Sequence, residues 1–280
     1  MKVLVTGATG FVGRHIVLRL LEMGCEVIAL SRSISSKIFS ENKNLTLIEH
    51  EISADVEIDI EIIRGVDSLL HLAWSHIDDV NSEVHLNDIL PAHFHFLERA
   101  VNIGIKNIFV LGSCYEYGMC EGAIKENQLI DPVTSYGKSK NMLRLQLERL
   151  STELSFNLVW GRLFYIYGEN QVSTSIYSQL MRALKKKDPE FKMSQGDQIL
   201  DYLHVLEAAN IIAQLLMKQK DIGCVNICSG NPITLHALIS QWIKSEKGNI
   251  NLILGAYPYR PFEPRAFWGD RTYLDSLLKI

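Results

Sequence analysis

Hydrophobic residues follow two alternating spacings along this chain. Compact, mainly apolar runs are typical of buried strands and occur at 3–5, 26–30, 45–48, 67–74, 106–111 and 156–163. Between the runs, apolar residues recur at helical spacing, weakly over 56–65 and clearly over 82–104 and 136–154. This alternation of strand and helix predicts an α/β fold with a doubly wound parallel sheet and helices on both faces.

After residue 164 the pattern becomes less regular. Helices are predicted over 176–187, 205–218 and 235–247 and a strand over 224–228, whereas 257–261 is rich in proline and has no regular pattern. We therefore expect a first domain of residues 1–165 plus about 201–225. A smaller, interleaved α/β lobe is expected to comprise about 166–200 plus 226–280.

Composition and charge exclude several classes of function. The 280 residues are 47% hydrophobic and carry a net charge of −4, so binding to nucleic acid is not expected. No apolar run approaches the ~18 residues of a membrane span. Because the first strand begins at Lys2, we expect no signal peptide and a cytoplasmic protein with its five cysteines reduced. Cys224 and Cys228 have no second Cys/His pair nearby, so no metal site is expected.

Three glycines follow the first predicted strand and lead into a helical pattern. Glycine allows a tight turn and a close approach to a pyrophosphate, and the helix N-terminus that follows offers free N–H groups. A strand, a glycine loop, a helix and a second strand fit within about thirty residues, as a Rossmann dinucleotide site requires. The expected cofactor-binding residues of this loop are Gly7, Thr9, Gly10, Phe11, Val12 and Gly13.

The end of the second strand indicates which cofactor is used. An acidic residue there suits the free ribose of NAD, but this chain has Ser31 and Arg32. A guanidinium pairs with a 2′-phosphate, and Arg14 is placed to assist from the glycine loop. NADP(H) is therefore favoured. NAD(H) is the alternative if Arg32 stacks on the adenine instead.

Tyr136 and Lys140 lie four residues apart on a predicted helix, so both face the same side. Moving the pKa of a tyrosine from ~10 to about 7 needs roughly 4 kcal/mol. An ammonium about 4 Å away, at an effective dielectric constant near ~20, supplies about that much. This spacing also arises by chance, but Ser113 stands just past a buried strand, at the edge of the sheet where ligands bind. Its hydroxyl can hold a substrate oxygen while Tyr136 moves the proton.

Together, the glycine loop, the His71-Leu-Ala73 stretch, Asn87, Ser113 before Tyr117-Gly118, and the Tyr136-Gly-Lys-Ser-Lys140 motif resemble the extended short-chain dehydrogenase/reductases, the NAD-dependent epimerase/dehydratase family. The resemblance covers nearly the whole chain. It implies a catalytic triad of Ser113, Tyr136 and Lys140, with Asn87 supporting Lys140 through water. It also implies that the cofactor contacts Glu51, Ile52, Leu72, Ala73 and Trp74, as well as Asn87, Tyr136 and Lys140.

Motifs in the second lobe extend this resemblance. Residues 162–168, 201–205 and 260–263 match the substrate-binding lobe of the family, whose members act on nucleotide sugars. The implied substrate-binding residues are Ser113, Cys114, Tyr115, Tyr165 and Arg260. The helices over 82–104 and 136–154 resemble the family's dimer-forming bundle, so we expect a homodimer.

Departures from the family pattern reduce the number of reactions that can be expected of this chain. Dehydratases carry an acidic pair directly after the position of Ser113, but this chain has Cys114 and Tyr115, so dehydration is not expected. The motif at 111–118 resembles reductases of nucleotide-linked 4-keto-6-deoxyhexoses, such as deoxytalose dehydrogenases and abequose synthases. Two alternatives remain. One is a 4-epimerase with tightly held NAD, and the other is a non-catalytic NADP-sensing regulator.

Overall fold

A computed structural model describes residues 1–34, 38–53 and 59–279 of the chain. Fourteen strands are found in the described residues. In chain order they are β1 (Lys2–Thr6), β2 (Glu26–Ser31), β3 (Leu45–Glu49), β4 (Ser68–His71), β5 (Asn107–Ser113), β6 (Gly122–Ile124), β7 (Asn157–Leu163), β8 (Tyr165–Tyr167), β9 (Glu190–Lys192), β10 (Ile199–His204), β11 (Gly223–Ile227), β12 (Pro232–Thr234), β13 (Asn251–Ile253) and β14 (Ala266–Gly269).

Eight α-helices accompany the strands in the same described part. They are α1 (Phe11–Glu22), α2 (Ile60–Ile63), α3 (Leu90–Ile103), α4 (Ser135–Leu154), α5 (Ile176–Lys186), α6 (Val205–Leu216), α7 (Leu235–Ser245) and α8 (Thr272–Leu278). The helix predicted over 56–65 lies partly outside the described residues. None of these helices is both long enough and apolar enough to cross a membrane.

Seven parallel strands form the main sheet, in the order β11-β7-β5-β4-β1-β2-β3. Apolar residues of α1, α6 and α8 pack against one face, and those of α2, α3 and α4 pack against the other. From β1 the chain proceeds through β2 and β3 in one direction and then returns to β4 on the other side of β1. This change of direction is the topological switch point of Rossmann folds. The predicted doubly wound α/β fold is confirmed.

The long helix predicted over 82–104 is divided in two. A π-helical turn spans His85–Ile89, and α3 starts at Leu90 with Pro91 in its first turn. Proline is tolerated there because the first N–H groups of a helix have no partner within the helix. The division determines which side chains of this segment face the interior.

Short strands build the remaining part of the molecule. One sheet has the order β12-β10-β14-β6, with β8 pairing β10, and β13 pairs β9 in a second. Helices α5 and α7 share a core with β9, and Tyr117, Phe164, Leu200 and Phe267 fill a separate cluster. Most of these strands have only three residues, which is too short for a recognisable hydrophobic period.

Strand register brings three loops together at the carboxyl edge of the main sheet. Thr6 of β1 pairs with His71 of β4, and His71 pairs with Val110 of β5. The glycine loop, the segment after His71 and the end of β5 at Ser113 therefore lie side by side. Open α/β sheets bind their ligands at this edge.

Candidate active site

The glycine loop is shaped by positions that only glycine can occupy. Gly7 has a φ of +66°, and a Cβ there would lie 2.8 Å from the Ala73 backbone nitrogen. A Cβ at Gly13 would lie 2.1 Å from the Gly7 carbonyl oxygen. The loop thus packs its backbone closely against the segment after β4 and the start of α1. This cradle fits the pyrophosphate of a dinucleotide.

Side chains around the loop fix its shape. Arg14 donates hydrogen bonds to the carbonyl oxygens of Thr9 (2.9 Å) and Gly10 (3.3 Å). The guanidinium that was expected to assist a 2′-phosphate is therefore engaged with the loop backbone. The hydroxyls of Thr9 and Ser31 lie 2.5 Å apart, which ties the loop to the end of β2.

The other predicted cofactor contacts surround this cradle. Phe11 and Val12 begin α1 and are half-buried, whereas Arg32 and Glu51 are exposed. A further group of half-buried residues comprises Ile52, Leu72, Ala73 and Trp74. The N–H groups of Leu72 and Ala73 both donate to the Thr6 hydroxyl at 3.2 Å, so the end of β1 holds this segment in place.

Ser113, Tyr136 and Lys140 are brought together by β5 and α4. Thr134 caps α4, its hydroxyl accepting from the Gly137 N–H, so Tyr136 lies in the first turn. The Ser113 side chain lies beside Tyr136. Lys140 is only 2% exposed and donates to the Leu111 carbonyl at 2.8 Å. Its ammonium lies 6.0 Å from the centre of the Tyr136 ring.

The pKa expectation for Tyr136 needs correction. Burial raises the pKa of Tyr136 above its usual value, and the neighbouring Ser113 hydroxyl opposes this rise only in part. Burial also lowers the pKa of Lys140 to about 7. Sequence reasoning placed a full positive charge about 4 Å from the phenol. In the structure, burial is the largest influence on this phenol, and burial disfavours the charged phenolate.

Asn87 lies on the exposed side of the π-helical turn. It is exposed, and in the described part of the chain its side chain forms no hydrogen bond. The π-helical turn instead buries His85 and Ile89. Residues two positions apart on a helix do not share a face, so Asn87 points away from the side that His85 presents. The support of Lys140 by Asn87 through water stays a prediction.

A buried ion pair beneath Ser113 was missed by the sequence analysis. Glu116 is fully buried and accepts hydrogen bonds from the Ser113 N–H (2.9 Å), the Trp160 indole (2.9 Å) and Arg162 (2.8 Å). The Ser113 hydroxyl in turn accepts from the Tyr115 N–H at 3.2 Å. All of these partners of the Glu116 carboxylate are groups of the protein itself. Glu116 therefore holds the turn that carries Ser113. The only sequence signal was a carboxylate directly before Tyr117.

Aromatic side chains line the space beside Ser113 and Tyr136. The Tyr115 ring lies 6.0 Å from Tyr136, 6.4 Å from Tyr165 and 6.2 Å from Phe262, measured between centroids. The Tyr165 hydroxyl is buried and has no hydrogen-bond partner in the described part of the chain. Cys114 lies against the same space, and burial raises the pKa of its thiol.

Arg260 stands at the rim of this space. Its side chain is 68% exposed and pairs with Glu263 at 3.2 Å. Glu263 also accepts a hydrogen bond from the Tyr115 hydroxyl at 3.3 Å. The residues predicted for catalysis and substrate binding therefore lie close together at one edge of the main sheet.

Comparison with known proteins identifies the family of this chain. The chain is 30% identical over 273 residues to dTDP-6-deoxy-L-talose 4-dehydrogenase (NAD(+)) of Aggregatibacter actinomycetemcomitans, covering 97% of this chain and 100% of that protein. UDP-N-acetylglucosamine 4-epimerase from Methanobrevibacter ruminantium M1, in complex with UDP-N-acetylmuramic acid, has a similar structure. The TM-score is 0.88 at 22% identity, covering 99% of this chain and 91% of that one.

A second similar structure is UDP-glucuronic acid 4-epimerase from Bacillus cereus, in complex with UDP-glucuronic acid and NAD. Its TM-score is 0.83 at 21% identity, covering 100% of this chain and 93% of that one. The model of the NAD dependent epimerase/dehydratase family matches residues 3–228. This chain belongs to the NAD dependent epimerase/dehydratase family.

Proposed function

We propose that the protein reduces the C4 keto group of a nucleotide-diphospho-4-keto-6-deoxyhexose, with NADPH as the preferred reductant. The observation that carries this proposal is the grouping of Ser113 and Tyr136 at the carboxyl edge of the main sheet, with Lys140 buried behind them. The relative at 30% identity, which by its name acts on a 6-deoxy-talose nucleotide, supports the sugar class.

Each of the three residues has a defined task in this reaction. A bound nicotinamide cofactor supplies the hydride. Ser113 donates a hydrogen bond to the substrate oxygen, and Tyr136 gives its proton to the alkoxide that develops there. Because burial raises the pKa of Tyr136, the hydroxyl holds its proton at neutral pH, as the proton donor of a carbonyl reduction requires. Lys140, when charged, favours the phenolate left behind.

Dehydration is disfavoured by the surroundings of Ser113. Elimination of water needs an acid and a base next to the sugar ring. Cys114 has a raised thiol pKa and stays protonated, and the Tyr115 hydroxyl donates to Glu263. Glu116 is enclosed by Arg162 and Trp160 and has no free lone pair to offer. The enzyme therefore needs a keto sugar supplied by a separate dehydratase.

Preference for NADPH rests on the end of β2. Ser31 is engaged with Thr9, and Arg32 is exposed where an acidic residue would bind a free ribose. A guanidinium at this place pairs with a 2′-phosphate through charge-assisted hydrogen bonds. Use of NAD(H) is the alternative, because the family description and the name of the 30% identical relative both include NAD.

We further propose a division of labour between the two parts of the chain. Residues 1–165 plus about 201–225 hold the cofactor, and about 166–200 plus 226–280 hold the nucleotide sugar, with Arg260 facing the diphosphate. Helices α3 and α4 form the interface of a homodimer, for which the exposed Met142 (44%) and Leu145 (50%) supply apolar surface. Light scattering after size-exclusion chromatography tests the dimer.

A 4-epimerase with tightly bound NAD is the second candidate, since both similar structures are named as 4-epimerases. The decisive experiment mixes the enzyme with NADPH and freshly generated dTDP-, GDP- or CDP-4-keto-6-deoxy sugars. NADPH absorbance and the NMR spectrum of the product are then followed. Stoichiometric NADPH oxidation with a new C4 hydroxyl supports the reductase. Inversion of a 4-hydroxy sugar nucleotide without net cofactor use supports the epimerase instead.

A non-catalytic NADP-sensing regulator is a third reading of the fold. It would have no need for a serine, a tyrosine and a lysine in catalytic arrangement, and Ser113, Tyr136 and Lys140 are all present. Absence of any turnover with every keto sugar and every 4-hydroxy sugar, combined with tight NADPH binding, would favour the regulator.

A further inference from the structure

The ammonium of Lys140 has an aromatic ring as its second partner. Besides the Leu111 carbonyl, Lys140 Nζ lies 3.9 Å from the centre of the Trp74 ring. A cation over an indole face is held by the ring quadrupole, and the attraction grows when water is excluded. Because Lys140 is 2% exposed, the Trp74 face replaces water on one side of the cation.

Trp74 is itself fixed by a histidine. The indole N–H donates to His85 Nδ1 at 3.1 Å, and the two ring planes are inclined by only 18°. The N–H is thus directed at Nδ1, the ring nitrogen that carries a lone pair in this tautomer. His85 Nε2 donates to the Asp79 carbonyl at 3.0 Å, which requires the neutral Nε2–H tautomer. Burial lowers the pKa of His85 and favours the same neutral state.

The remaining titratable groups near Lys140 are two neutral imidazoles and one paired carboxylate. The Thr6 hydroxyl accepts two backbone N–H groups, so its own hydrogen is donated to His71 Nδ1 at 3.0 Å. His71 Nε2 then donates to His93 Nδ1 at 2.7 Å. Burial lowers the pKa of both imidazoles, that of His93 to about 3. The Glu116 carboxylate favours the charged form of Lys140, but it is already paired with the Arg162 guanidinium.

We propose that Trp74 and His85 are positioning residues for the reaction. The Trp74 face holds the Lys140 ammonium beside Tyr136, and His85 holds the indole at the required angle. This proposal rests on the proposed function in so far as Lys140 and Tyr136 act together in proton transfer. Trp74 then has a task beyond lining the cofactor pocket, and the segment that carries Asp79 is linked to the acid–base pair through His85.

The linked segment also touches the start of α4. The Val80 carbonyl accepts the Tyr136 N–H at 2.9 Å, and the Asn81 carbonyl accepts the Ser135 hydroxyl at 3.2 Å. Residues 79–81 thus position Tyr136 directly and Lys140 through His85 and Trp74. A displacement of about 1 Å at such a pair is enough to lower turnover about 10²-fold.

The test compares variants that keep or remove each contact. Trp74→Leu removes the ring face, and Trp74→Phe keeps a face without the N–H. His85→Phe removes the acceptor, and His85→Asn keeps an oxygen close to the position of Nδ1. Trp242→Phe, in the α5–α7 core, is the matched control. Steady-state kinetics with NADPH and the keto sugar separate kcat from KM.

Trp74→Leu should lower kcat about thirtyfold while the KM for the sugar stays within about twofold, and Trp74→Phe should restore most of the loss. His85→Phe should lower kcat about tenfold, with His85→Asn closer to wild type. A Trp74→Leu enzyme with kcat within about threefold of wild type would overturn the proposal. Equal kcat values for Trp74→Phe and Trp74→Leu would also overturn the proposal.

Crystal structures of the Trp74 variants decide the question independently of turnover. In Trp74→Leu, Lys140 Nζ should move by more than about 1 Å, whereas in Trp74→Phe it should remain near the Leu111 carbonyl. An unmoved Nζ in Trp74→Leu would overturn the positioning role. If the wild type turns over no keto sugar but Nζ moves as expected, the proposed function fails while the positioning of Lys140 stands.

Discussion

Replacing Lys140 by methionine should stabilise the protein at neutral pH while removing its activity. Lys140 is buried, and burial lowers its pKa from the usual 10.5 to about 7. Between those two values, the unfolded chain binds a proton at this side chain that the folded chain does not bind. Stability therefore rises with pH across the window from about 7 to 10.5 in the wild type.

The size of this change in the free energy of unfolding follows from the pKa shift of Lys140. Each pH unit within the window changes the free energy of unfolding by about 1.4 kcal/mol per proton, so the wild type should gain about 2 kcal/mol between about pH 7 and 9. At pH 7 the total penalty of the buried ammonium is about 4 kcal/mol. Methionine avoids that penalty but leaves the Leu111 carbonyl without its donor, which costs about 1–3 kcal/mol. Lys140→Met should therefore be more stable by about 1–3 kcal/mol near pH 7, and the advantage should vanish near pH 9.

Urea unfolding of both proteins at several pH values between about 6.5 and 9.5 provides the measurement. The difference between the two proteins isolates position 140, because other titrating groups are common to both. Lys138→Met, at an exposed position of the same helix, is the control and should give a difference that does not vary with pH. A difference for Lys140→Met that is equally constant across the pH range would refute the reasoning.

The other predictions concern chemistry, cofactor and stability. Tyr136→Phe should keep the fold and NADPH affinity but lower turnover about 10²–10⁴-fold in steady-state kinetics, and turnover within about threefold of wild type would contradict its role. Arg32→Asp should shift the ratio of kcat/KM values at least about tenfold from NADPH toward NADH, and a wild type that already prefers NADH would count against Arg32. Glu116→Gln should lower the free energy of unfolding by about 3 kcal/mol, because Arg162 remains buried without its carboxylate, and urea unfolding that shows a loss below about 1 kcal/mol would disprove this.

Local sequence signals predicted the parts of the molecule that depend on short-range geometry. The hydrophobic periods located most strands and helices of the main sheet, and the spacing of Gly7, Gly10 and Gly13 marked the loop between β1 and α1. The four-residue separation of Tyr136 and Lys140 was likewise sufficient to place both on one helix side. These features need only a strand, a turn or a helix to be recognised.

Other features depend on contacts between distant segments. Trp74, His85 and Lys140 meet only because β4, the π-helical turn and α4 converge, and no period in the sequence relates them. The pKa of Tyr136 moved in the opposite direction to the expectation because desolvation depends on burial, which spacing does not reveal. The π-helical turn likewise changes which residues of its segment face inward, and no period in the sequence marks it.

The ion pair of Glu116 and Arg162 has a consequence for exchanging parts between relatives. Arg162 also donates to the Tyr117 hydroxyl and the Glu126 carbonyl, and Tyr117 donates to Asn226, which reaches the Ile124 carbonyl. This one network joins β5, β7 and β11 of the main sheet to β6 of the smaller one. A chimera that combines the two sheets from different parents must inherit these residues together, because a guanidinium transferred without its carboxylate would be buried alone.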